Sequence, residues 1–254
     1  MKQQGLIFFL CMGLFLLFFT VVQAETKKLT VIFDQGHGQK FVIEKDGELQ
    51  LSRLSGLLKG KGYDVKINVV QINDAALNTA DVLIISGAFQ SLSPEEINAV
   101  IIFLERGGKL CVMLHIPQPL TGLMSRLKVY ASNGVIQEQE NTINNAPMDF
   151  YITNMGKHKI TKGLKRIGVH GAWALMTKST NAQIIARTGP KAWIDLNRDG
   201  KFNETDARQS FGVVIAGTLG KGRYVIFGDD AIFQNKFLDQ ENIPLAKNLA
   251  DWMK

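Results

Sequence analysis

Residues 195–206 read Asp-Leu-Asn-Arg-Asp-Gly-Lys-Phe-Asn-Glu-Thr-Asp, with oxygen-bearing side chains at alternate positions early in the run. Asp195, Asn197, Asp199, Asn203 and Asp206 occupy loop positions 1, 3, 5, 9 and 12. Gly200, at position 6, permits a sharp bend, and Lys201 offers its backbone carbonyl at position 7. Calcium gathers roughly six to eight oxygens around one point, and this spacing delivers them. The predicted cofactor is therefore a calcium ion in a structural role. Asp206 stands where the longer Glu is usual, which shortens its reach. The same composition also suits an ordinary surface turn.

A second set of residues falls where apolar runs end. Asp34 and His37 follow the run 29–33, Ser86 and Gly87 follow 81–85, His115 follows 109–114, and Asp229, with Asp230 next to it, follows 223–228. In an open α/β sheet the carboxyl ends of parallel strands form the ligand-binding rim. A carboxylate, an imidazole and a hydroxyl meeting there could make a general-base arrangement. They could equally line a binding surface, or Asp34 could cap its glycine turn with His37 packed nearby. Two histidines and a carboxylate also suit zinc, but these residues lack a recognisable ligand spacing. Cys111 lies mid-run and reads as a small buried hydrophobe.

The elements that must position these residues alternate. Leu49, Leu51, Leu54, Leu57 and Leu58 recur at helical spacing, and Val65, Ile67 and Val69 alternate as in a strand. Ser93-Pro94-Glu95-Glu96 is a helix start with a capping box, and Gly107-Gly108 ends that helix. A short helix is predicted over 120–129, short strands at 183–186 and 191–194, a hairpin joining 211–216 to 223–227, and a closing helix over 243–253. Between about 130 and 187 the period weakens and Asn recurs, which predicts a loop-rich insertion. The alternation predicts an α/β fold with a mainly parallel sheet.

The first 24 residues carry Lys2, a charge-free apolar stretch over 5–22, and small residues at Val22 and Ala24 before Glu25. This is the layout of a secretory signal peptide, with an uncleaved anchor as the alternative. Cys11 lacks the small residues expected ahead of a lipidated cysteine. The remaining 25–254 suits one domain, with contact to a membrane only through the signal segment. It retains a single cysteine, Cys111, and so has no internal disulfide. Export without disulfides points to a periplasmic or secreted protein. The net charge is +6, with lysines clustered at 27–28, 59–61 and 157–166. No stacking aromatics interleave them, which argues against nucleic acid.

The runs at 34–39, 80–97, 103–110 and 222–233 together resemble the class I glutamine-amidotransferase-like superfamily. The nearest branch is that of GIFT and gliding-motility ABC-transporter accessory domains. The resemblance implies a flavodoxin-like three-layer sandwich. Catalytic members carry a cysteine on the turn after the strand matching 81–85, and here that turn is Ser86-Gly87-Ala88-Phe89. The resemblance therefore implies a non-catalytic member. Residues 195–206 resemble the calcium loops of EF-hand and dockerin modules, without the flanking helices. The reading is an exported binding module for an unknown ligand or envelope protein. The alternative is an envelope hydrolase using His37 as base with Asp34 orienting it.

Overall fold

The computed structural model describes residues 28–254, so the signal-peptide expectation for 1–24 lies outside them. Fifteen strands and five α-helices follow in chain order. The first part runs β1 (Thr30–Asp34), α1 (Ser52–Gly60), β2 (Asp64–Asn68), α2 (Asp74–Leu77), β3 (Val82–Ser86), α3 (Pro94–Glu105), β4 (Lys109–Met113) and α4 (Thr121–Arg126). The middle is nearly all strand: β5 (Val129–Gln137), β6 (Thr142–Ile143), β7 (Ala146–Ile152), β8 (Asn154–Met155), β9 (Ile167–His170), β10 (Trp173–Thr177) and β11 (Ala182–Arg187). Then come β12 (Trp193–Ile194), β13 (Ala207–Arg208), β14 (Gly212–Leu219), β15 (Gly222–Phe227) and α5 (Ile243–Trp252). Among the described residues no helix is long and apolar enough to cross a membrane.

Twelve strands form one sheet, in the order β13-β12-β5-β10-β14-β15-β4-β3-β1-β2, with β11 beside β14 and β8 beside β11. β2, β1, β3, β4 and β15 run parallel. Every other pairing is antiparallel. A separate small sheet has the order β6-β7-β9. The prediction of a mainly parallel, flavodoxin-like three-layer sandwich is therefore wrong, because antiparallel pairings dominate a large mixed sheet.

The predicted loop-rich insertion over 130–187 is likewise corrected, since seven strands fill it. Of the asparagines there, Asn133 and Asn154 lie within β5 and β8, while Asn141, Asn144 and Asn145 lie in turns between strands. Asn144 and Asn145 join β6 to β7 with φ of 53° and 57°. Two consecutive left-handed residues make the I′ turn that suits a two-residue hairpin. The strands themselves are half-buried, and their pairings shift register at Trp173/Leu175 and Ile184/Ala186. Such bulges break the period-2 signal.

In the parallel half, alternate residues feed opposite cores, as strand geometry requires. Val31, Phe33, Ile84, Cys111, Met113, Val225 and Phe227 join Leu54, Leu58, Leu245 and Leu249 from α1 and α5 on one face. Ile32, Leu83, Ile85, Leu110, Val112 and Ile226 join Val100, Phe103, Leu104 and Leu123 from α3 and α4 on the other. Both faces are dry, so the strand ends beyond Asp34, Ser86, Met113 and Phe227 are held firmly.

Candidate functional site at the strand-end rim

Asp34 closes β1 and is buried. Its Oδ1 accepts the Gly36 N–H at 3.3 Å, and its Oδ2 accepts the Gln39 amide at 2.6 Å. The same Oδ2 lies 2.8 Å from Nδ1 of buried His37. Gly36 is demanded by close approach, because a Cβ there would sit 2.6 Å from the Val70 carbonyl oxygen. On the other side of the ring, His37 Nε2 lies 2.9 Å from Glu96 Oε1. Glu96 is the capping-box residue of α3: its Oε2 accepts the Ser93 N–H at 2.8 Å, and its Oε1 also accepts the Ile72 N–H at 2.8 Å.

His37 is thus clamped between two buried carboxylates. Burial alone would lower its pKa, but Asp34 and then Glu96 outweigh burial and hold the imidazole above its ordinary value. Burial would raise Glu96. The Ser93 and Ile72 N–H groups and the His37 charge reverse that and hold its carboxyl low. An imidazolium with both N–H groups donated to carboxylates has no free nitrogen to accept a proton. The clamp also supports the neighbouring turn, since the His37 carbonyl accepts the Phe89 and Gln90 N–H groups, both at 2.9 Å.

That turn belongs to a second cluster. Gly87 follows β3 with φ +59°, and a Cβ there would meet Asp230 Oδ2 at 2.7 Å. Asp230 Oδ1 lies 3.2 Å from His115 Nδ1. The Asp230 hydrogen bond, opposed by burial and helped by the charges of Asp230 and Asp229, raises the His115 pKa. The His115 side chain keeps 38% of its surface exposed. Phe41 packs its edge against the ring at 5.1 Å and Phe89 lies tilted at 5.2 Å. The Trp173 indole N–H donates to the His115 carbonyl at 2.9 Å, which brings β10 of the antiparallel half to the rim.

Asp229 is fully buried beneath this cluster. Its oxygens accept the His170 N–H at 2.6 Å and the Ala231 N–H at 2.8 Å. Desolvation, then the Asp230 charge, push its pKa well above the ordinary carboxylate range. Ser86 Oγ and Asp230 Oδ2 are buried with no hydrogen-bond partner.

The six predicted rim residues therefore divide. Asp34 and His37 form one cluster with Glu96. Gly87, His115 and Asp229 meet around Asp230, and Ser86 turns inward, hydrogen-bonded to neither histidine. Glu96, Phe41 and Phe89 were missed, and Asp230 is legible only as the residue that follows Asp229. The capping-box spacing signalled Glu96 as a helix start, but nothing in it marks a carboxylate shared with a histidine. Among the described residues no three His, Cys, Asp or Glu side chains converge as a metal site.

The acidic loop has its own order. Asp195 accepts the Asp199 N–H at 3.2 Å and the Gly200 N–H at 2.8 Å, and Asp206 accepts the Leu196 and Asn203 N–H groups at 3.0 and 2.8 Å. The Asn197 and Asn203 amides both donate to Asp199 Oδ2. Gly200 is left-handed at φ +74°.

Fold and rim together define a sheet-dominated protein with a large, mostly antiparallel mixed sheet, whose parallel strand ends carry a buried acid–imidazole clamp beside a half-open aromatic histidine. The chain belongs to the DUF4350 family, a domain of unknown function whose model matches residues 47–250. That match corrects the resemblance to the class I glutamine-amidotransferase-like superfamily and its GIFT branch, which is not the family found. No curated protein matches the chain in sequence. Among solved structures, the mmIFT52 N-terminal domain is similar at 14% identity and TM-score 0.72, covering 88% of this chain and 96% of that one. A cytoplasmic protein from Salmonella typhimurium LT2 is similar at 15% identity and TM-score 0.57, covering 89% and 100%. A putative ThuA-like protein from Bacteroides uniformis is similar at 14% identity and TM-score 0.51, covering 91% and 93%. At these identities the likeness is one of fold.

Proposed function

We propose that the protein is an exported, non-enzymatic binding module that engages an envelope ligand or protein partner through its strand-end rim. The observation that carries this reading is the state of His37. A hydrolase built on His37 and Asp34 needs a free imidazole nitrogen, and here both nitrogens face carboxylates, Asp34 at 2.8 Å and Glu96 at 2.9 Å. The Ser86 hydroxyl is buried and hydrogen-bonded to neither histidine, so it has no base to activate it.

His115 supplies the recognition chemistry. A half-exposed imidazole flanked by two aromatic rings and backed by a buried carboxylate offers apolar area together with a directed polar group. Loop 195–206 supports a second part of the proposal, a structural calcium ion. The loop holds Asp195, Asn197, Asp199, Asn203 and Asp206 in one hydrogen-bonded turn. The Asn197 and Asn203 amide oxygens now accept the Asp199 and Thr205 N–H groups, and an ion would have to take them from these donors as it displaces the amides from Asp199.

The test is a titration of the isotope-labelled protein with solubilised envelope fractions, followed by NMR. Saturable shifts confined to His115, Phe41 and Phe89, and lost in H115A and F89S, support the rim as a binding surface. Turnover of ester or amide substrates that vanishes in H115A or H37A, with the fold intact, would replace the binding module with the hydrolase.

A further inference from the structure

At the opposite end of β15 from the rim lies a cavity of about 360 Å³. Its wall includes Arg223, His158, Trp252, Asn181, Gln183 and Thr218. Arg223 is the second residue of β15, and its guanidinium lies over the Trp252 ring at 5.1 Å. The Arg223 Nε is buried with no hydrogen-bond partner. Among the described residues no carboxylate lies within ion-pairing distance of Arg223. The acids nearby are engaged elsewhere: Asp81 accepts the Thr30 N–H at 2.7 Å, and Asp251 pairs with Lys61 at 2.9 Å.

The buried Nε is out of reach of a ligand in the cavity, but a half-buried guanidinium whose charge no carboxylate among the described residues pairs is costly unless an anion completes it. The positive charge of Arg223 is felt by its neighbours. Burial, then Arg223 and Lys159, press the His158 pKa down, and burial and Arg223 do the same to Lys109. His158 Nδ1 accepts the Ile160 N–H at 3.2 Å, which leaves Nε2 as the protonated nitrogen and a donor. A second cavity of about 670 Å³ shares His158 and is walled by Lys157, Lys159, Lys162 and Lys165. The planar fork of arginine matches the oxygens of phosphate and carboxylate, and the amide and hydroxyl groups of Asn181, Gln183 and Thr218 suit sugar hydroxyls.

We propose that the Arg223–His158 cavity binds an anionic sugar, with its phosphate or carboxylate on the Arg223 guanidinium and its hydroxyls on the Asn181, Gln183 and Thr218 side. The lysine-walled cavity accommodates a further negative charge of the same molecule. This site is separate from the rim and stands or falls independently of it.

The experiment is an NMR titration of the protein at constant ionic strength, read at the Trp252 indole N–H. The probes are inorganic phosphate, glucose 6-phosphate, glucuronate and neutral glucose, taken to about 20 mM, which reaches the weak millimolar range of small ligands. Saturable shifts from glucose 6-phosphate or glucuronate, tighter than inorganic phosphate and absent with glucose, support the site, and the better of the two acids identifies the group. R223M is expected to abolish saturation. R223K, which keeps the charge but not the fork, is expected to weaken binding at least about tenfold, equivalent to 1.4 kcal/mol. K157Q/K159Q separates general lysine screening from a site. If it removes the response while R223K leaves it unchanged, the proposal is overturned. Absence of any saturable shift in the unaltered protein also overturns it, whatever the variants do.

Discussion

Replacing His37 by alanine should cost more stability than its small volume suggests. The variant leaves Asp34 Oδ2 and Glu96 Oε1 without the imidazolium that both now face. Breaking a buried ion pair by removing one partner costs about 3–5 kcal/mol. Here two carboxylates are affected, but each keeps other donors: Gln39 and Gly36 on Asp34, Ser93 and Ile72 on Glu96. The lower half of that range, roughly 3 kcal/mol, is therefore expected. For a domain of this size that lowers Tm by about 6–12 °C. The pH dependence has a definite sign. His37 has a raised pKa in the folded state, so its contribution is complete below its ordinary value of 6.5 and is lost as pH rises through the folded value. Urea denaturation of the native protein should show stability falling above pH 6.5, and H37A should be flatter over that window. An H37A protein within about 0.5 kcal/mol of the native one would refute the clamp, since that is the scatter of ordinary surface changes.

Two further outcomes follow from the geometry. Gly87→Ala should destabilise by about 1–3 kcal/mol, because it places a Cβ at φ +59° and 2.7 Å from Asp230 Oδ2; urea denaturation of G87A within the error of the native protein would remove the constraint. Calcium at a hundredfold excess over its Kd should stabilise the protein by about 2.7 kcal/mol, reversed by EDTA and absent in D199A; a differential-scanning trace unmoved by calcium would dismiss loop 195–206 as a metal site.

Some of this was legible in the sequence and some was not. β1, β3 and β4 are continuous apolar runs because both their faces are covered, and the Ser93–Glu96 box marks α3 by local chemistry alone. In the antiparallel half, β11, β12 and the β14–β15 hairpin are legible as short apolar runs, whereas β5 to β10 are not, because most of these strands are half-buried or bulged and because Asn144 and Asn145 read as loop when they are the two residues of a hairpin turn. The family was misread for a related reason: the motifs that carried the resemblance all lie in strand ends and helix caps, which report a local shape shared across many α/β proteins. At the site, Asp34 and His37 were visible as strand-end residues. Their partner Glu96 lies 59 residues away from His37, and pairing across that separation leaves no local trace.

The position of β15 has a consequence for how the chain assembles. β15 lies between β4 and β14, so Val225 pairs with Cys111 across more than a hundred residues. While the chain is being made, β4 presents a free edge until almost the last residues arrive. Non-local pairing of this kind slows folding, and an unpaired hydrophobic edge invites the wrong neighbour in the interval. The hairpin of β14 and β15 is then the late-arriving wedge that joins two half-sheets. Damage there should raise the yield of aggregate before it changes the finished structure.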